Sequence, residues 1–411
     1  MSKPVVIVGA GLSGLCCALH LTRAGIPCRL LEASDAAGGR VRTDVVDGFR
    51  LDRGFQVLQT AYPEARAMLD YDALDLRPFD AGTWVRRDGG FTRLMDPRRH
   101  PGSILSGLMA SVGSFGDKLR VGKLRKLPLP ESSAADRSTL EELRALGFSD
   151  SIIDGLFRPW FAGVFLEREL ETSAAFFRFT YRMFGSGDVA MPAKGMEEIP
   201  RQLAGRLPAD TLRTGARVES VAADHVRLEG GEQIEASTVV LAVEGPEAAR
   251  LAGQGFDSPT QRGTACIYFA ADTPPLRQPV LVLDGEQSGP VNNLVVPSNV
   301  SPELAPAGKA LISVSTVGVP DQDDDSLVDA SRAQLRGWFG AAVDSWSPLQ
   351  VYRIPHALPA QPPGSLASGP LRLPSGVWVC GDHREAASIQ GAMTSGRRMA
   401  EQWIAEQRAS A

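Results

Sequence analysis

The chain has 411 residues, of which 43% are apolar and 22% are charged, so it can bury a sizeable core and form two connected domains. Its formal net charge of -5 gives no general attraction to polyanions, which argues against nucleic acid as a partner. Five cysteines without a C-x-x-C pair suggest neither a disulfide framework nor a zinc site, so we expect no metal and a reducing cytoplasm.

A glycine-rich turn follows the first predicted strand. Residues 5–8 form a continuous apolar, β-branched run, as expected for a parallel strand buried on both faces. The next six residues read G-x-G-x-x-G, in which the glycines permit a tight turn, close approach of a pyrophosphate and packing of the helix that follows. We therefore predict that a dinucleotide contacts this unit at a helix N-terminus through Gly9, Gly11, Leu12, Ser13 and Gly14.

A second predicted strand ends in an acidic residue. The helix expected over residues 12–24 stops at Gly25, which can take the left-handed conformation of a helix C-cap. Residues 28–32 then form a strand ending at Glu32, beside Ala33, where a carboxylate can accept the hydroxyls of an adenosine ribose. An arginine there would suggest a 2′-phosphate, so the acid argues against NADP and leaves NAD or FAD.

The loop after this acid distinguishes the two cofactors. It contains Gly38-Gly39-Arg40 and resembles the loop of the flavoprotein superfamily of amine oxidases, protoporphyrinogen oxidases and carotenoid (phytoene) desaturases, where Gly-Gly-Arg contacts the FAD diphosphate. The resemblance implies that Gly39 and Arg40 bind FAD, with Arg40 as the phosphate clamp. Small residues let the backbone fold over a diphosphate, and a guanidinium can pair with it bidentately.

The resemblance also implies a fold and its division into domains. We expect an α/β protein whose Rossmann-like FAD-binding domain, of the GR2 type of flavoprotein, carries an inserted α+β substrate domain. The FAD-binding domain would comprise residues 1–80, 190–260 and 370–411. The substrate domain would comprise residues 81–189, expected to be largely helical, and residues 261–369, which include an antiparallel sheet.

A hairpin with an Asp-Gly turn is predicted over residues 41–51. Residues 52–57 follow this hairpin. In the resembling families an Asp-x-Gly segment at this point runs beside the isoalloxazine. Gly54 would let the backbone touch the ring, while Phe55 and Gln56 would face the ring or the substrate. The alternative is that the hairpin serves packing alone.

Residues 60–190 have a different character, with helical segments predicted at 63–69, 104–127, 139–146 and 151–157. The end of this region is rich in aromatic residues, which either fill a helical core or line an apolar pocket. We expect core filling for most of them and a pocket position for one or two, which would suit an oily substrate. They are Phe157, Trp160, Phe161, Phe165, Phe176, Phe177, Phe179, Tyr181 and Phe184.

The same region carries a basic stretch, in which residues 92–126 include eight Lys or Arg against two Asp. Residues 118–126 interleave basic and apolar side chains, which suits either a helix lying on anionic lipid or a solvated face over a buried stripe. Peripheral membrane contact through residues 103–126 is therefore one of two interpretations. The first strand begins at once and no apolar run approaches 18 residues, so we expect neither a signal sequence nor a membrane span.

Three later segments continue the resemblance. Residues 189–203 resemble the Gly-Gly-Met segment that returns these flavoproteins to the cofactor domain, with Lys194 in place of the first glycine, which reduces backbone freedom. Val218, in a strand over residues 216–221, would meet the adenine through backbone groups. Residues 237–242 predict another buried parallel strand, and residues 263–318 alternate like a sheet that floors the substrate cavity.

The C-terminal region resembles the Gly-Asp strand and closing helix of the same superfamily. There the Gly-Asp pair would bind the ribityl phosphate region, and the following backbone would aim a helix N-terminus at the flavin pyrimidine, where the dipole stabilises the negative charge of reduced flavin. No cysteine attachment motif precedes this helix, so we expect noncovalent FAD. The implied contacts are Gly381, Asp382, Ser388, Ile389, Gln390 and Ala392.

Two departures from the family pattern indicate the chemistry. Many amine oxidases of the superfamily place a lysine beside flavin N5 and an aromatic cage residue before the closing helix, and Ala265 and Ser388 align there. We therefore expect an FAD-dependent oxidoreductase that oxidises a largely apolar small molecule, desaturase- or dehydrogenase-like, by hydride transfer to N5. The electron acceptor would be O2 or a quinone-like carrier. Gln56 and His383 are the candidate catalytic residues, although either could satisfy backbone groups instead.

Three alternatives stay open at this point. The chain could be a flavin amine oxidase with an altered site, a non-redox FAD-dependent isomerase of the carotenoid type, or a flavin-binding partner protein without turnover. Anaerobic bleaching of the flavin by a substrate would favour an oxidoreductase. Product formed without net bleaching would favour isomerisation.

Overall fold

The computed structural model describes residues 3–103, 112–124, 126–127, 136–253, 256–365, 369 and 371–410. The strands form two main sheets and smaller hairpins. In chain order they are β1 (Val5–Val8), β2 (Cys28–Leu31), β3 (Thr43–Val46), β4 (Phe49–Asp52), β5 (Leu58–Gln59), β6 (Leu76–Pro78), β7 (Gly82–Arg87), β8 (Gly90–Met95), β9 (Val189–Pro192), β10 (Leu212–Arg213), β11 (Val218–Val221), β12 (His225–Leu228), β13 (Gln233–Glu235), β14 (Thr238–Leu241), β15 (Gln261–Ala271), β16 (Leu281–Asp284), β17 (Val291–Val295), β18 (Ala310–Thr316), β19 (Ser347–Pro359) and β20 (Trp378–Val379).

The helices lie between and over these strands. They are α1 (Leu12–Arg23), α2 (Pro63–Met68), α3 (Phe115–Leu124), α4 (Thr139–Ala145), α5 (Asp150–Ile152), α6 (Arg158–Phe165), α7 (Ala174–Ser186), α8 (Glu198–Ala204), α9 (Gly245–Ala252), α10 (Pro297–Val300), α11 (Asp324–Phe339) and α12 (Ile389–Ser410), with a π-helix at Ile153–Phe157 and 3-10 turns at Pro101–Ser103, Pro302–Leu304, Gly340–Ser345 and Asp382–Arg384.

A parallel sheet orders its strands β10-β2-β1-β14-β20. β1 lies at the centre and pairs in parallel with β2 on one side and with β14 on the other. Every residue of β1 and β14 is buried, which explains why both strands are continuous apolar runs in the sequence. The predicted Rossmann-like α/β arrangement is confirmed, with the glycine turn at the carboxyl end of the central strand.

A second, mixed sheet orders its strands β19-β15-β18-β17-β16-β7-β8. β16 pairs in parallel with β7, and the other neighbours are antiparallel. The sheet predicted within residues 263–318 is confirmed, but residues 82–95, expected in the helical part, instead form its edge hairpin. Asp88 and Gly89 make the turn with φ of 53° and 74°, an Asp-Gly hairpin signal that the sequence analysis missed.

Helices α3 to α7 form a layer with its own core. The helix predicted at 151–157 is a short α5 that passes through the π-helix into α6. Of the helix predicted at 104–127, α3 confirms residues 115–124, whereas residues 112–114 and 126–127 are not helical and residues 104–111 and 125 lie outside the described residues. Core filling is the main role of the aromatic stretch, as expected, since its fully buried rings are Phe157, Phe161, Phe165, Phe176 and Phe177.

The last helix crosses the first at close range. A Cβ at Gly396 of α12 would clash with the carbonyl oxygen of Ser13 in α1, so glycine is what allows the two backbones to touch. This contact places the end of the chain against the first glycine turn. The five cysteines are free thiols. In the described part of the chain, every helix falls short of the length and apolar character needed to traverse a bilayer.

Candidate functional site

The turn between β1 and α1 is shaped for a ligand with phosphates. Gly9 has φ of 101°, and a Cβ there would lie 2.8 Å from the carbonyl oxygen of Ala242. A Cβ at Gly14 would clash with the carbonyl of Gly9, whereas one at Gly11 would meet nothing within 4 Å. Gly11 is also the helix N-cap and has no side-chain cap. The start of α1 therefore has no side-chain cap and has free space beside Gly11, both of which suit an anion site.

Glu32 lies at the end of β2, beside this turn. One carboxylate oxygen accepts the N–H of Ala10 at 2.8 Å, and the other accepts the N–H and the hydroxyl of Ser34 at 2.9 and 2.8 Å. A carboxylate offers about four acceptor positions, so these bonds leave one for a ribose hydroxyl. Glu32 faces a cleft lined by Val8, Gly9, Leu31, Glu32, Ala33, Ala216, Arg217, Val218, Val243 and Glu247.

The cleft brings Ala33 and Val218 together with Glu32, as predicted, and adds residues that the sequence analysis missed. These are Val243 and Glu247, from the segment after β14, together with Arg217. A signal for Val243 was present, because ligands bind beyond the carboxyl ends of parallel strands and Val243 follows such a strand. Arg217 had no comparable signal in the sequence.

Arg40 joins the two ends of the chain. Its guanidinium donates to Asp382 Oδ2 at 2.7 Å and to the carbonyl oxygen of Ala357 at 2.8 Å. Gly39, with φ of 59°, lies against Gly11, since a Cβ on Gly39 would be 3.4 Å from the Gly11 Cα. Two of the five guanidinium N–H donors are thus used within the protein, and the others remain for a diphosphate.

The segment after the hairpin is held by a buried carboxylate. Asp52 Oδ1 accepts the hydroxyl of Thr43 at 2.6 Å and the N–H of Met196 at 2.8 Å. Burial raises the pKa of Asp52 to about 6, against the lowering effect of these two hydrogen bonds. The loop it binds has its positive φ at Gly195, 101°, and not at Lys194. Lysine in place of the first glycine is therefore tolerated there.

Gly54 and its neighbours are fixed from several sides. Gly54 has φ of 86°, and a Cβ there would lie 2.6 Å from Ile354 Cδ1, so only glycine fits. The Gln56 amide donates to the carbonyl oxygens of Arg40 and Arg53 at 2.8 and 3.1 Å. Gln56 therefore connects the Gly-Gly-Arg loop to the segment predicted to run beside a flavin. Satisfying backbone groups is the alternative to a catalytic role that the sequence analysis gave for this residue.

The chain matches the family model described as flavin containing amine oxidoreductase over residues 12–404. It belongs to this family. It is therefore an FAD-dependent oxidoreductase. The open space at Gly11, the uncapped helix and the cleft at Glu32 fit a dinucleotide cofactor, and we assign them to FAD as a proposal about individual residues.

Related proteins align with this chain over nearly its whole length. A hydroxysqualene dehydroxylase from Rhodopseudomonas palustris is 26% identical, with 100% of both chains aligned. A solved oxidoreductase from Methanosarcina mazei matches 97% of this chain and 100% of its own at 18% identity, with a TM-score of 0.76. Putrescine oxidase with bound putrescine matches 98% of this chain and 99% of its own at 19% identity, with a TM-score of 0.71. The two solved structures establish the shared fold.

Ala265, which the family alignment places beside flavin N5, lies on the face of its strand that points away from the segment 52–56. Its side chain is fully buried on the face of β15 that α11 covers, in a cluster with Trp84. Cys266 and Tyr268 lie on the opposite face, and the Tyr268 hydroxyl donates to the carbonyl oxygen of Asp52 at 2.9 Å. Alternate residues of a strand face opposite ways, so an error of one position reverses the face. The strand carries no lysine on either face.

Cys266 lies directly behind the segment after the hairpin. The backbone of Phe55 lies near its sulfur, and hydroxyls of neighbouring side chains surround it. One of these hydroxyls, that of Ser313, lies 3.3 Å from the sulfur. Burial raises the pKa of the thiol, so the sulfur stays protonated at neutral pH. Cys266 is a buried support of this segment that the sequence analysis did not identify.

His383 lies behind the Gly-Asp turn. Its side chain is only 1% exposed, and its ring meets Phe256 edge-on at 5.7 Å between centroids. The ring also covers Gly381, where a Cβ would clash with it. Neither ring nitrogen has a hydrogen-bond partner among the described residues. Burial lowers the pKa of His383 to about 4, so the imidazole is neutral at physiological pH.

The N-terminus of α12 is organised by polar side chains. Ser388 Oγ accepts the N–H of Gly391 at 3.1 Å and donates to the carbonyl oxygen of Ala386 at 3.3 Å, and the Tyr62 hydroxyl lies close to it. The Gln390 side chain turns away to accept the N–H of Glu64 at 2.9 Å, so any cofactor contact of Gln390 would use its backbone. The N–H of Ala392 is already bonded to the Ser388 carbonyl at 2.9 Å.

Two aromatic rings stand beside this helix end. Tyr62 and Phe179 are parallel within 1° at 6.1 Å between centroids. Phe179 packs against both the cofactor-domain core and the helical core. Phe55 and Phe79 form an edge-to-face pair at the same centroid distance. Of the aromatic stretch, Phe179 is thus the member placed between the two cores, where we predicted one or two rings to line a pocket.

Proposed function

We propose that this flavoprotein oxidises a largely apolar substrate at carbon, in a desaturase- or dehydrogenase-like reaction. The observation that carries the proposal is the composition of β15, whose face toward the segment 52–56 presents Cys266 and Tyr268 where many amine oxidases have a lysine. The thiol is protonated and the phenol is bonded to the backbone of Asp52. Neither group offers a free amine or a charge to an amine substrate.

The surroundings of the α12 N-terminus support the same substrate class. Tyr62 and Phe179 supply ring surfaces, and Tyr62 is buried with the plane of its ring parallel to that of Phe179. Such walls favour hydrocarbon over charged groups. The full-length relative from Rhodopseudomonas palustris bears the name of an enzyme that acts on hydroxysqualene, a molecule that is almost entirely hydrocarbon.

Bound FAD would supply the two-electron redox chemistry, with hydride acceptance at N5. The residues of the chain would position the substrate and shield the reacting carbon from water. Tyr268 and Gln56 hold the segment 52–56 through the carbonyl oxygens of Asp52 and Arg53, Cys266 packs behind it, and the stacked rings would keep water from the reacting carbon. Neutral His383, covered by Phe256 and Gly381, would orient the Gly-Asp turn, and O2 or a quinone-like carrier is the proposed final acceptor.

A second candidate is favoured by the name of the full-length relative. Replacing a hydroxyl on an apolar alcohol by hydrogen consumes two electrons, so the flavin would have to be reduced first and oxidised by the substrate. The apolar walls serve this reaction equally well. The two candidates therefore differ in the direction of electron flow and not in the substrate site.

The test is anaerobic stopped-flow spectroscopy of the flavin. Oxidised holoenzyme is mixed with long-chain isoprenoids and polyenes in one series and with primary amines and polyamines in another. We expect bleaching by a member of the first series only. Photoreduced holoenzyme mixed with apolar alcohols tests the second candidate through return of the oxidised spectrum. Rapid bleaching by a simple primary amine would refute both.

A matched pair of variants locates the substrate. Phe179→Ala should raise the concentration of apolar substrate needed for half-maximal reduction by about tenfold or more, since a buried ring contributes roughly 1.5–3 kcal/mol. Phe91→Ala removes an equally half-buried ring that stacks on Phe339 at the outer sheet edge, and should leave this value unchanged. Equal effects of both variants would mean general destabilisation.

A further inference from the structure

Helix α3 exposes apolar side chains that most proteins would bury. Phe115 is 64% exposed and Leu119 is 54% exposed, and among the described residues Val45 is the other large apolar side chain with comparable exposure. Phe115 and Leu119 stand at i and i+4, so they lie on one face of the helix, one turn apart. They form a continuous apolar ridge on the surface, which we call the α3 ridge.

The orientation of the α3 ridge is fixed by the opposite side of the helix. Leu124 is 4% exposed and packs in the helical core, and the Tyr181 hydroxyl donates to the carbonyl oxygen of Val121 at 3.1 Å. At the N-terminus, the buried carboxylate of Asp117 accepts hydroxyl hydrogens from Ser114 and Ser149, each at 2.7 Å. Phe115 and Leu119 cannot turn inward without breaking these contacts.

Positive charge accompanies the ridge. Lys123 and Lys126 are exposed on the same part of the helix and the turn that follows it. Three arginines of this region, Arg98, Arg99 and Arg120, form ion pairs with carboxylates. The positive character at the ridge therefore comes from long, flexible lysines, which can place their ammonium groups above an apolar surface. The chain as a whole is negative, with a net charge of -5.

We propose that the α3 ridge docks on the surface of an anionic lipid bilayer, with Phe115 and Leu119 entering the headgroup boundary and the lysines facing lipid phosphates. An aromatic and a leucine one turn apart, bordered by lysines on a helix about 15 Å long, match the pattern of interfacial helices. Charge complementarity selects anionic lipid over a neutral surface. Docking through α3 does not depend on the proposed reaction.

The experiment is vesicle co-sedimentation of the FAD-loaded full-length protein. Vesicles of phosphatidylcholine alone are compared with vesicles containing an equal part of phosphatidylglycerol, at low and high salt. We expect binding to the anionic vesicles, lost at high salt. The double variant Phe115→Ser/Leu119→Ser should reduce the partition coefficient by roughly tenfold or more. Lys123→Glu/Lys126→Glu should reduce it by roughly fivefold or more per lysine.

Val45→Ser is the matched control, because Val45 is as exposed as Phe115 but lies in the β3 hairpin. It should bind vesicles like the parent protein. Retained flavin absorbance and an unchanged thermal midpoint establish that each variant is folded. Failure of the parent protein to bind anionic vesicles, or binding unaffected by Phe115→Ser/Leu119→Ser, would overturn the proposal. Self-association of the parent, abolished by that double variant without vesicle binding, would assign the ridge to a second copy instead.

Discussion

The guanidinium of Arg40 donates to Asp382 Oδ2 at 2.7 Å, although the two residues are 342 positions apart in the chain. The carboxylate is 7% exposed and the guanidinium 34%, so the bond is charge-assisted and partly shielded from water. It joins the Gly-Gly-Arg loop at one end of the sequence to the Gly-Asp turn at the other. The proposed diphosphate region is completed only when the C-terminal segment has packed against β14 and α1.

This relationship predicts coupled effects on cofactor binding. Arg40→Ala should weaken FAD binding by about 10- to 100-fold, the range expected when one partner of a charged hydrogen bond is removed. Asp382→Ala should have a similar effect, and the double variant should be little worse than either single one, because both disrupt one unit. Fluorescence titration of deflavinated protein with FAD gives each Kd. Arg77→Ala, which breaks the exposed pair with Asp75, is the control.

If the losses of FAD affinity add fully in the double variant, the two residues are not coupled. Arg40 and Asp382 would then act on the cofactor independently. Unchanged Kd in both single variants would place the diphosphate somewhere else.

Glu32 gives the second prediction. Glu32→Gln keeps the size of the side chain but removes the charge and turns one acceptor oxygen into a donor, which conflicts with the N–H of Ala10 or of Ser34. We expect FAD binding to weaken by about tenfold. Glu235→Gln changes a similar strand-end glutamate that pairs with Lys3 on the surface, and should leave the FAD Kd unchanged. Equal affinities in the two variants would contradict the ribose assignment.

The third prediction concerns how the cofactor is held. We expect heat or acid to release all the flavin into the supernatant, since the sequence around α12 contains no attachment cysteine and the buried Cys380 lies before it. Protein and flavin are separated by filtration after denaturation and each absorbance is recorded. Yellow colour that stays with the denatured protein would demonstrate a covalent bond.

The sequence predicted the local elements of the cofactor half well, because its signals are short-range. A strand, a glycine turn, a helix and a terminal acid follow within 32 residues, so Gly9, Gly14 and Glu32 take the geometry expected of them. Contacts across long separations could not be obtained this way. The bond between Arg40 and Asp382, and the pairing of β7 with β16, depend on how distant segments meet.

The substrate side of the fold was harder to predict, because an alignment shift of one residue moves a side chain to the opposite face of a strand. Ala265 and Cys266 are neighbours on β15, yet they belong to cores on opposite sides of the sheet. Both faces are buried and apolar, so the polar-apolar alternation that normally sets the register is missing. The buried Asp52 was likewise invisible, since nothing local indicates that a carboxylate next to a hairpin will hold a loop 144 residues further along.

These two neighbours provide the fourth prediction. Cys266→Ala removes the sulfur that lies against the Phe55 backbone, so we expect a shift of the visible flavin absorption bands and slower flavin reduction, with the fold retained. Ala265→Ser places a hydroxyl in an apolar cluster and should lower the thermal midpoint without moving the bands. The absorption spectrum and the thermal midpoint are measured on both variants. Bands that move with Ala265→Ser and not with Cys266→Ala would restore the original alignment.

Asp52 gives the last prediction, on pH. Burial raises its pKa from the ordinary 3.8 to about 6 in the folded protein, so the folded state binds more protons than the unfolded state between these values. Stability must then fall as pH rises from about 4 to 6. Asp44 has the opposite sign, because the hydrogen bond from Arg53 lowers its pKa and its contribution is lost on acidification. The two carboxylates lie on the paired strands β4 and β3.

Asp52→Asn removes the titrating group while its side-chain oxygen can still accept the Met196 N–H. At pH 7.5 the variant should be more stable than the parent by up to about 2–3 kcal/mol, since each pKa unit is worth roughly 1.4 kcal/mol. At pH 3, below both pKa values, Asp52 is mostly protonated in the folded and the unfolded state, so this gain should nearly vanish. Asp44→Asn should instead be destabilised at pH 7.5 and approach the parent in acid. Urea unfolding of holoprotein from pH 7.5 to pH 3 measures both, and an undiminished gain for Asp52→Asn at pH 3 would show that the gain does not come from the raised pKa of Asp52.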